Sequence, residues 1–262
     1  MTTRKKVLAV GCSFTQGQGL ERESLDPLLW VNQIFPEDYY QVDNVAKTGA
    51  NNHWIFLECA CKMASQHYDV VLVAWTSIPR FNYHVGLEMY SVETLLHNRD
   101  VNINNHVTVS GKWLKSVGDS LRRIHNDHWD LLDLVKYVNI LTAIAHSQRS
   151  IQIFFVNSLG PWCPGYFTKK SIDMPSDLTD YEQDLLQVQT RDDKEILQLY
   201  NMVHTHYENY GGIKQNHWLN LYSSLYSMQI DDASATDAHP GYKSQNKYAE
   251  ILLPVLHSKL HA

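Results

Sequence analysis

The chain has 262 residues, 44% hydrophobic and 19% charged, which is enough for one α/β domain with insertions or for two small domains. We expect one domain, because no linker rich in Pro, Gly and Ser divides the chain. The formal net charge is −6 and Lys and Arg are scattered, which argues against a nucleic-acid partner. No apolar run approaches the roughly 18 residues of a membrane-spanning helix, and no export signal follows the N-terminus, so we expect a cytoplasmic protein without a membrane span.

The first predicted element is a buried strand that ends in a serine turn. The apolar run from Lys5 to Val10 leads directly into Gly11-Cys12-Ser13-Phe14-Thr15-Gln16-Gly17. Ligands of α/β sheets gather at the carboxyl ends of the strands, where a serine between two glycines keeps its hydroxyl clear of the core. Ser13 is therefore a candidate nucleophile, although ordinary turns have the same pattern. Cys12 is a weaker rival.

The next elements alternate between helix and strand. The apolar spacing from Leu25 to Phe35 predicts a helix with Pro27 near its first turn. A second strand is predicted from Tyr40 to Val45. A turn with Gly49 follows, and then a helix that Asn51 or Asn52 caps.

The clearest strand of the chain is the continuous apolar run from Asp69 to Trp75. Such a run is typical of a central parallel strand that is covered on both faces. The alternation of helix and strand stops after it, so residues 81–121 are interpreted as an insertion. This insertion contains a short alternating stretch from Val107 to Ser110.

Later elements complete the α/β pattern. A helix with one apolar face is predicted from about Asp127 to Ala145, and a fourth strand from Ser150 to Asn157. A charged segment from Asp193 to Tyr210 is predicted to be helical, and a last helix runs from Lys247 to Leu260.

A short motif precedes the last helix. Asp237 and His239 lie two positions apart, followed by Pro240 and Gly241. This spacing lets a carboxylate orient an imidazole that faces a serine from elsewhere in the chain. A polar loop without function would have the same composition.

Together, Gly-x-Ser-x-x-x-Gly after the first strand and Asp-x-His-Pro-Gly before the last helix resemble the SGNH (GDSL-like) hydrolase superfamily. The resemblance implies a single domain over residues 1–262, a three-layer αβα sandwich with a flavodoxin-like, mainly parallel sheet. Helical insertions would occupy about 81–121 and 160–230. The motif style also resembles SGNH-like proteins of bacteriophages, which would place the protein in the virion or the host cytoplasm.

The resemblance also assigns roles to residues. Ser13 would be the nucleophile, His239 the base and Asp237 its partner, and the backbone amides of Ser13 and Gly49 would bind the oxyanion. The asparagine that supplies the third donor in the family is absent here, and Ser77 falls at or near its position, with Thr76 as the alternative. The expected substrate contacts are Trp75, Arg80, Asn82 and Trp162.

A metal centre is the weaker interpretation of the fourteen histidines and four cysteines. His125 and His128 lie at a spacing that a helix could use to share a metal, but no third ligand follows at a matching distance. We therefore predict no metal and no cofactor.

The function that the resemblance implies is hydrolysis of short acyl esters, acetyl-like and plausibly of carbohydrates. Two alternatives remain open at the level of sequence. One is transfer of the acyl group to an alcohol, and the other is a glycan-binding module that has lost turnover, which the missing asparagine allows.

Overall fold

In the computed structural model, the described residues are 4–76, 82–85, 88–91, 101–103, 107–110, 112, 116, 127–148, 150–159, 217–220 and 224–260. The strands among them are β1 (Lys5–Val10), β2 (Tyr40–Asn44), β3 (Val70–Trp75), β4 (Asn82–Val85), β5 (Glu88–Ser91), β6 (Val101–Ile103), β7 (Val107–Val109), β8 (Gln152–Asn157), β9 (Asp232–Ser234) and β10 (Asp237–Pro240). The α-helices among them are α1 (Ser13–Gln16), α2 (Trp30–Ile34), α3 (Asn52–Ser65), α4 (Asp127–Ser147) and α5 (Tyr242–Leu260). Two 3₁₀ turns cover Glu23–Leu25 and Tyr226–Met228.

A parallel sheet forms the centre of the described chain. Its strand order is β2-β1-β3-β8, and all three pairings are parallel. Strand β3 is buried at every position, as its continuous apolar run predicted. The helices pack in two pairs, α2 with α5 and α3 with α4. The predicted three-layer, mainly parallel α/β architecture is confirmed.

The chain continues the sheet beyond β8 for a short distance. Trp218 forms a parallel bridge with Phe155, and the Leu219 N–H donates to the Phe155 carbonyl over 2.9 Å. The Asn220 side chain then accepts from the Asn157 N–H at 2.7 Å and donates to the Asn157 carbonyl at 2.9 Å. The Asn220 side-chain amide thus makes the two hydrogen bonds to Asn157 that the backbone of a fifth strand would otherwise make.

Two helix boundaries differ from the sequence prediction. The helix expected from Leu25 begins only at Trp30, because the Asp26 carboxylate accepts from the Leu28 N–H and holds the intervening residues in a turn. The last helix begins at Tyr242, five residues before the predicted start at Lys247. The segment with Asp237 and His239 is a strand of a short hairpin and not a loop.

The two predicted insertions are described only in part. Within 81–121 the described residues form two antiparallel strand pairs, β4 with β5 and β6 with β7, and the alternating stretch after Val107 is strand β7. The segment from Asp193 to Tyr210 lies outside the described residues. The single-domain assignment stays a prediction. No helix in the described part of the chain is long and apolar enough to span a bilayer.

Candidate active site

The carboxyl ends of the parallel strands bring three predicted motifs to one edge of the sheet. Ser13 follows β1, Gly49 follows β2, and Thr76 follows β3 directly. Because all three strands point the same way, their following turns meet at this edge. The site is therefore built from segments that are remote in sequence.

Ser13 begins the one-turn helix α1 in place of a simple turn. The helix ends at Gly17, whose φ of 80° is left-handed and therefore favours glycine. A Cβ at Gly11 would lie 2.3 Å from the Thr15 Oγ1, so this glycine lets α1 fold back against the end of β1. Ser13 is 2% exposed, and the Cys12 side chain is fully buried.

Asp237 and His239 form a hydrogen-bonded pair on β10. The His239 Nδ1 lies 2.5 Å from the Asp237 Oδ1, and the same oxygen accepts from the His239 backbone N–H at 3.0 Å. Burial raises the pKa of the Asp237 carboxyl, but the hydrogen bonds from His239 and its charge outweigh burial and lower that pKa overall. An ionised carboxylate only accepts hydrogen bonds, so the His239 Nδ1 donates here, and in the neutral imidazole Nε2 is then the acceptor.

The serine helix and the histidine strand are in contact. Helix α1 packs against β10, and the rings of Phe14 and His239 meet edge to face with their centroids 6.1 Å apart. Gly19, shortly after α1, also lies close to β10, since a Cβ built on it would lie 2.8 Å from the Asp237 Oδ2. The two motifs at opposite ends of the sequence therefore lie side by side.

The turn that contains Gly49 is tied to the serine helix by side chains. The Gln16 Oε1 accepts from the Thr48 N–H at 2.6 Å and from the Thr48 hydroxyl at 2.8 Å. The Asn44 side chain donates to the Thr15 carbonyl at 2.7 Å. Gly49 itself has a φ of 74°, a left-handed conformation that other residues adopt only with strain.

The end of β3 is held by the start of α3. The Asn52 side chain donates to the Thr76 carbonyl at 3.1 Å and accepts from the Thr76 N–H at 2.9 Å. Asn51 caps the same helix through the Trp54 N–H at 2.8 Å, as predicted. The Thr76 Oγ1 is buried and has no hydrogen-bond partner within the described structure.

The predicted third donor and most predicted substrate contacts fall outside what the structure describes. Ser77, Arg80 and Trp162 are not among the described residues, and Asn82 is described only as part of the backbone of β4. Their roles stay predictions.

Trp75 is the one predicted substrate contact whose side chain is described. It is 1% exposed and stacks on Phe155, with the ring centroids 6.1 Å apart. The cause is its place in β3, which is covered on both faces. This burial argues against a substrate contact and corrects the sequence interpretation.

One exposed aromatic residue near the site was not singled out from the sequence. Tyr226 is 49% exposed, and its ring centroid lies 6.4 Å from that of Phe14, on the 3₁₀ turn that follows the end of the sheet. It reaches this place because its N–H donates to the Ser158 carbonyl just beyond β8. No local sequence pattern predicts a hydrogen bond between Tyr226 and Ser158, because the two residues are remote in the sequence.

The side chains that usually bind metal ions do not cluster in the described part of the chain. Among the residues described, no group of three His, Cys, Asp or Glu side chains is arranged to hold a metal ion. Cys12, Cys59 and Cys61 are free thiols.

Comparison with known proteins identifies the fold. No family model matches the chain, and no curated protein matches it in sequence. An acetyl xylan esterase from the rumen bacterium Butyrivibrio proteoclasticus superposes with a TM-score of 0.50 at 14% identity, over 100% of this chain and 66% of that chain. The chain shares the mainly parallel α/β fold of that esterase.

Two further solved structures superpose over nearly their whole length. TesA has a TM-score of 0.46 at 12% identity, over 97% of this chain and 99% of that chain. A putative lipolytic protein of the G-D-S-L family from Desulfitobacterium hafniense has a TM-score of 0.45 at 11% identity, over 96% and 99%. At these identities, the similarity concerns the fold alone.

Proposed function

We propose that this protein is a serine ester hydrolase with Ser13, His239 and Asp237 as its catalytic triad. The observation that carries the proposal is the Asp237–His239 pair on β10, which packs against the helix that Ser13 begins. An imidazole whose Nδ1–H is held by an ionised carboxylate has Nε2 free to act as a base toward a serine hydroxyl. The backbone hydrogen bond alone is that of an ordinary Asx turn, so the ring bond from the His239 Nδ1 is what favours the catalytic role.

The chemistry that we propose proceeds in two steps. The Ser13 Oγ attacks the ester carbonyl while the His239 Nε2 takes its proton, and His239 then gives that proton to the departing alcohol. Water activated by the same imidazole next cleaves the acyl-enzyme and releases the acid. Throughout, Asp237 fixes the imidazole tautomer and stabilises the imidazolium.

Backbone amides would stabilise the negative charge on the carbonyl oxygen. We assign this role to the amides of Ser13 and Gly49, together with a hydroxyl from Ser77 or Thr76. The unpartnered, buried Thr76 Oγ1 at the end of β3 keeps Thr76 as a candidate beside Ser77. Losing one such donor typically lowers turnover about a hundredfold or more, so Thr76→Val and Ser77→Ala would distinguish the two.

The substrate class that we propose is a short acyl ester, with an acetylated carbohydrate as the natural substrate. The acetyl xylan esterase that shares the fold makes an acetylated glycan the first natural substrate to test. The exposed Tyr226 near Phe14 supports this choice, because an exposed aromatic face close to the serine helix can pack against a sugar ring.

The test combines a fluorophosphonate probe with an activated acetate ester such as 4-nitrophenyl acetate. We expect stoichiometric labelling and hydrolysis by the wild type, and loss of both in Ser13→Ala. Because Ser13 is only 2% exposed, labelling also measures directly whether a reagent can reach its hydroxyl. Cys12→Ala is the matched control, since it alters the neighbouring thiol and keeps the hydroxyl. Equal hydrolysis by Ser13→Ala and wild type would refute the proposal and favour the binding module.

A further inference from the structure

A glutamine is completely buried between the last helix and the rest of the protein. Gln245, in the first turns of α5, is 0% exposed. Burying an amide away from water is unfavourable unless its oxygen and nitrogen are hydrogen-bonded. Both atoms have partners here: the Oε1 accepts from the Trp30 N–H at 3.2 Å, and the Nε2 donates to the Pro240 carbonyl at 3.2 Å.

Each partner leads toward one of the proposed catalytic residues. Pro240 directly follows His239 in β10. Trp30 begins α2, and its indole Nε1–H donates to the carbonyl of Phe14, the residue after Ser13, over 3.1 Å. Trp30 is also completely buried, so solvent does not compete with either of its hydrogen bonds.

The result is a chain of three hydrogen bonds between the carbonyl of Phe14, the residue after the serine, and the carbonyl of Pro240, the residue after the histidine. We call it the Trp30–Gln245 bridge. Its chemistry is specific: Gln245 must offer one acceptor and one donor, and Trp30 must donate from both its backbone and its ring. The Trp30 N–H is available because it lies in the first turn of α2, where N–H groups lack intrahelical partners, and Leu29 provides no side-chain cap.

We propose that Trp30 and Gln245 are positioning residues, which set the distance between the Ser13 hydroxyl and the His239 imidazole. This inference rests on the proposed hydrolase function and adds two residues to it. Neither residue contacts the reacting atoms through the bridge. They act through the carbonyl groups of Phe14 and Pro240, and a displacement of about 1 Å in such a site can lower turnover roughly a hundredfold.

The test compares two variants that break different bonds of the bridge. Gln245→Met keeps most of the side-chain volume and removes both hydrogen bonds, whereas Trp30→Phe keeps an aromatic ring and removes only the bond to Phe14. Gln33→Met is the matched control. Its amide joins the same two helices on the exposed side, through Asn246 at 2.9 Å, and contacts neither catalytic segment.

The measurements are kcat and KM for 4-nitrophenyl acetate, with kcat expressed per serine titrated by the fluorophosphonate, and the midpoint of thermal unfolding. We expect both bridge variants to lose tenfold or more in kcat per titrated serine with KM within about twofold. The double variant should lose no more than the worse single variant, because both break one chain. Gln33→Met should keep wild-type kcat.

Titration separates positioning from folding, since unfolded molecules are not counted. If either bridge variant has wild-type kcat per titrated serine, the two residues are merely structural and the inference is wrong, even where the unfolding midpoint falls. If one variant does not fold, the other still decides, because each breaks the bridge by itself. Failure of the proposed function gives a different result, which is that Ser13→Ala hydrolyses the ester as well as the wild type.

Discussion

At the scale of single residues, the Asp237 carboxylate is held from three sides. One oxygen binds the His239 ring and backbone, and the other faces Gly19. Gly19 has a φ of 85°, and a Cβ there would lie 2.7 Å from the Ala233 Cβ as well as 2.8 Å from the Asp237 Oδ2. The residue must therefore be glycine for its backbone and for the space that the carboxylate occupies.

Gly19→Ala should displace the Asp237 carboxylate and thereby weaken the hydrogen bond that fixes the tautomer of His239. We expect a loss of roughly tenfold or more in kcat per titrated serine, together with about 1–2 kcal/mol of backbone strain. Gly17→Ala is the strain control. Its φ of 80° is nearly the same, but the added Cβ would approach the Leu29 side chain at 2.9 Å and the Glu23 carbonyl at 3.3 Å, and no carboxylate. Equal losses of kcat in the two variants would contradict a role for the Gly19–Asp237 contact.

At the scale of elements, helix α5 begins where a distant carboxylate caps it. Asp231 accepts from the Ser244 N–H at 2.7 Å and from the Lys243 N–H at 3.0 Å. Its own carbonyl accepts from the Gly241 N–H at 3.0 Å. Since β10 ends directly before α5, this cap also fixes the strand that carries His239.

The Asp231 cap should make stability depend on pH. Burial raises the pKa of the Asp231 carboxyl, but hydrogen bonds from Ser244 and Lys243 and the Lys243 charge lower it overall. A carboxyl whose pKa is lowered on folding stabilises the protein above its ordinary pKa of about 4, and this contribution is lost as the pH falls through the lowered value. Asp231→Asn keeps an acceptor and removes the charge, so it should cost about 0.3–1 kcal/mol at pH 7.

Urea unfolding at pH 7, 5, 4 and 3 measures this difference. The gap in unfolding free energy between the wild type and Asp231→Asn should narrow as the pH is lowered, because protonation removes the charged cap from the wild type as well. Asp232→Asn is the control on the same hairpin, where the residue is exposed and its carboxylate accepts from the Gln229 side chain. A gap that is constant with pH would show that the charge of Asp231 does not contribute.

Elements that depend on local composition could be predicted from the sequence, whereas those that depend on distant partners, such as the capped start of α5, could not. Strands β1, β3 and β8 are continuous apolar runs, and their burial follows from local composition alone. The start of α5 was predicted five residues late because its cap lies eleven residues before Tyr242 and reaches it only through the hairpin. Gln245 was missed for the same reason, since a polar residue in a helix ordinarily faces solvent and only tertiary partners bury it.

At the scale of the whole molecule, the site joins the two ends of the described chain. Ser13 follows the first strand and His239 precedes the last helix, yet both rest on one continuous apolar core. That core includes Trp30, Trp75 and Trp218, so indole fluorescence reports its unfolding. If the site depends on the core as a unit, activity and fluorescence should be lost together in a single cooperative transition.

Leu72→Ala tests this dependence at the centre of the sheet. Leu72 is completely buried in β3, between β1 and β8, so removing its side chain should cost about 2–5 kcal/mol of unfolding free energy. We expect the urea midpoints of fluorescence and of ester hydrolysis to fall by the same amount, while kcat per titrated serine keeps its wild-type value in dilute buffer. Ile140→Ala, which truncates an exposed side chain on α4, should shift neither midpoint appreciably. Loss of hydrolysis at a lower urea concentration than loss of fluorescence would show instead that the site opens separately from the core.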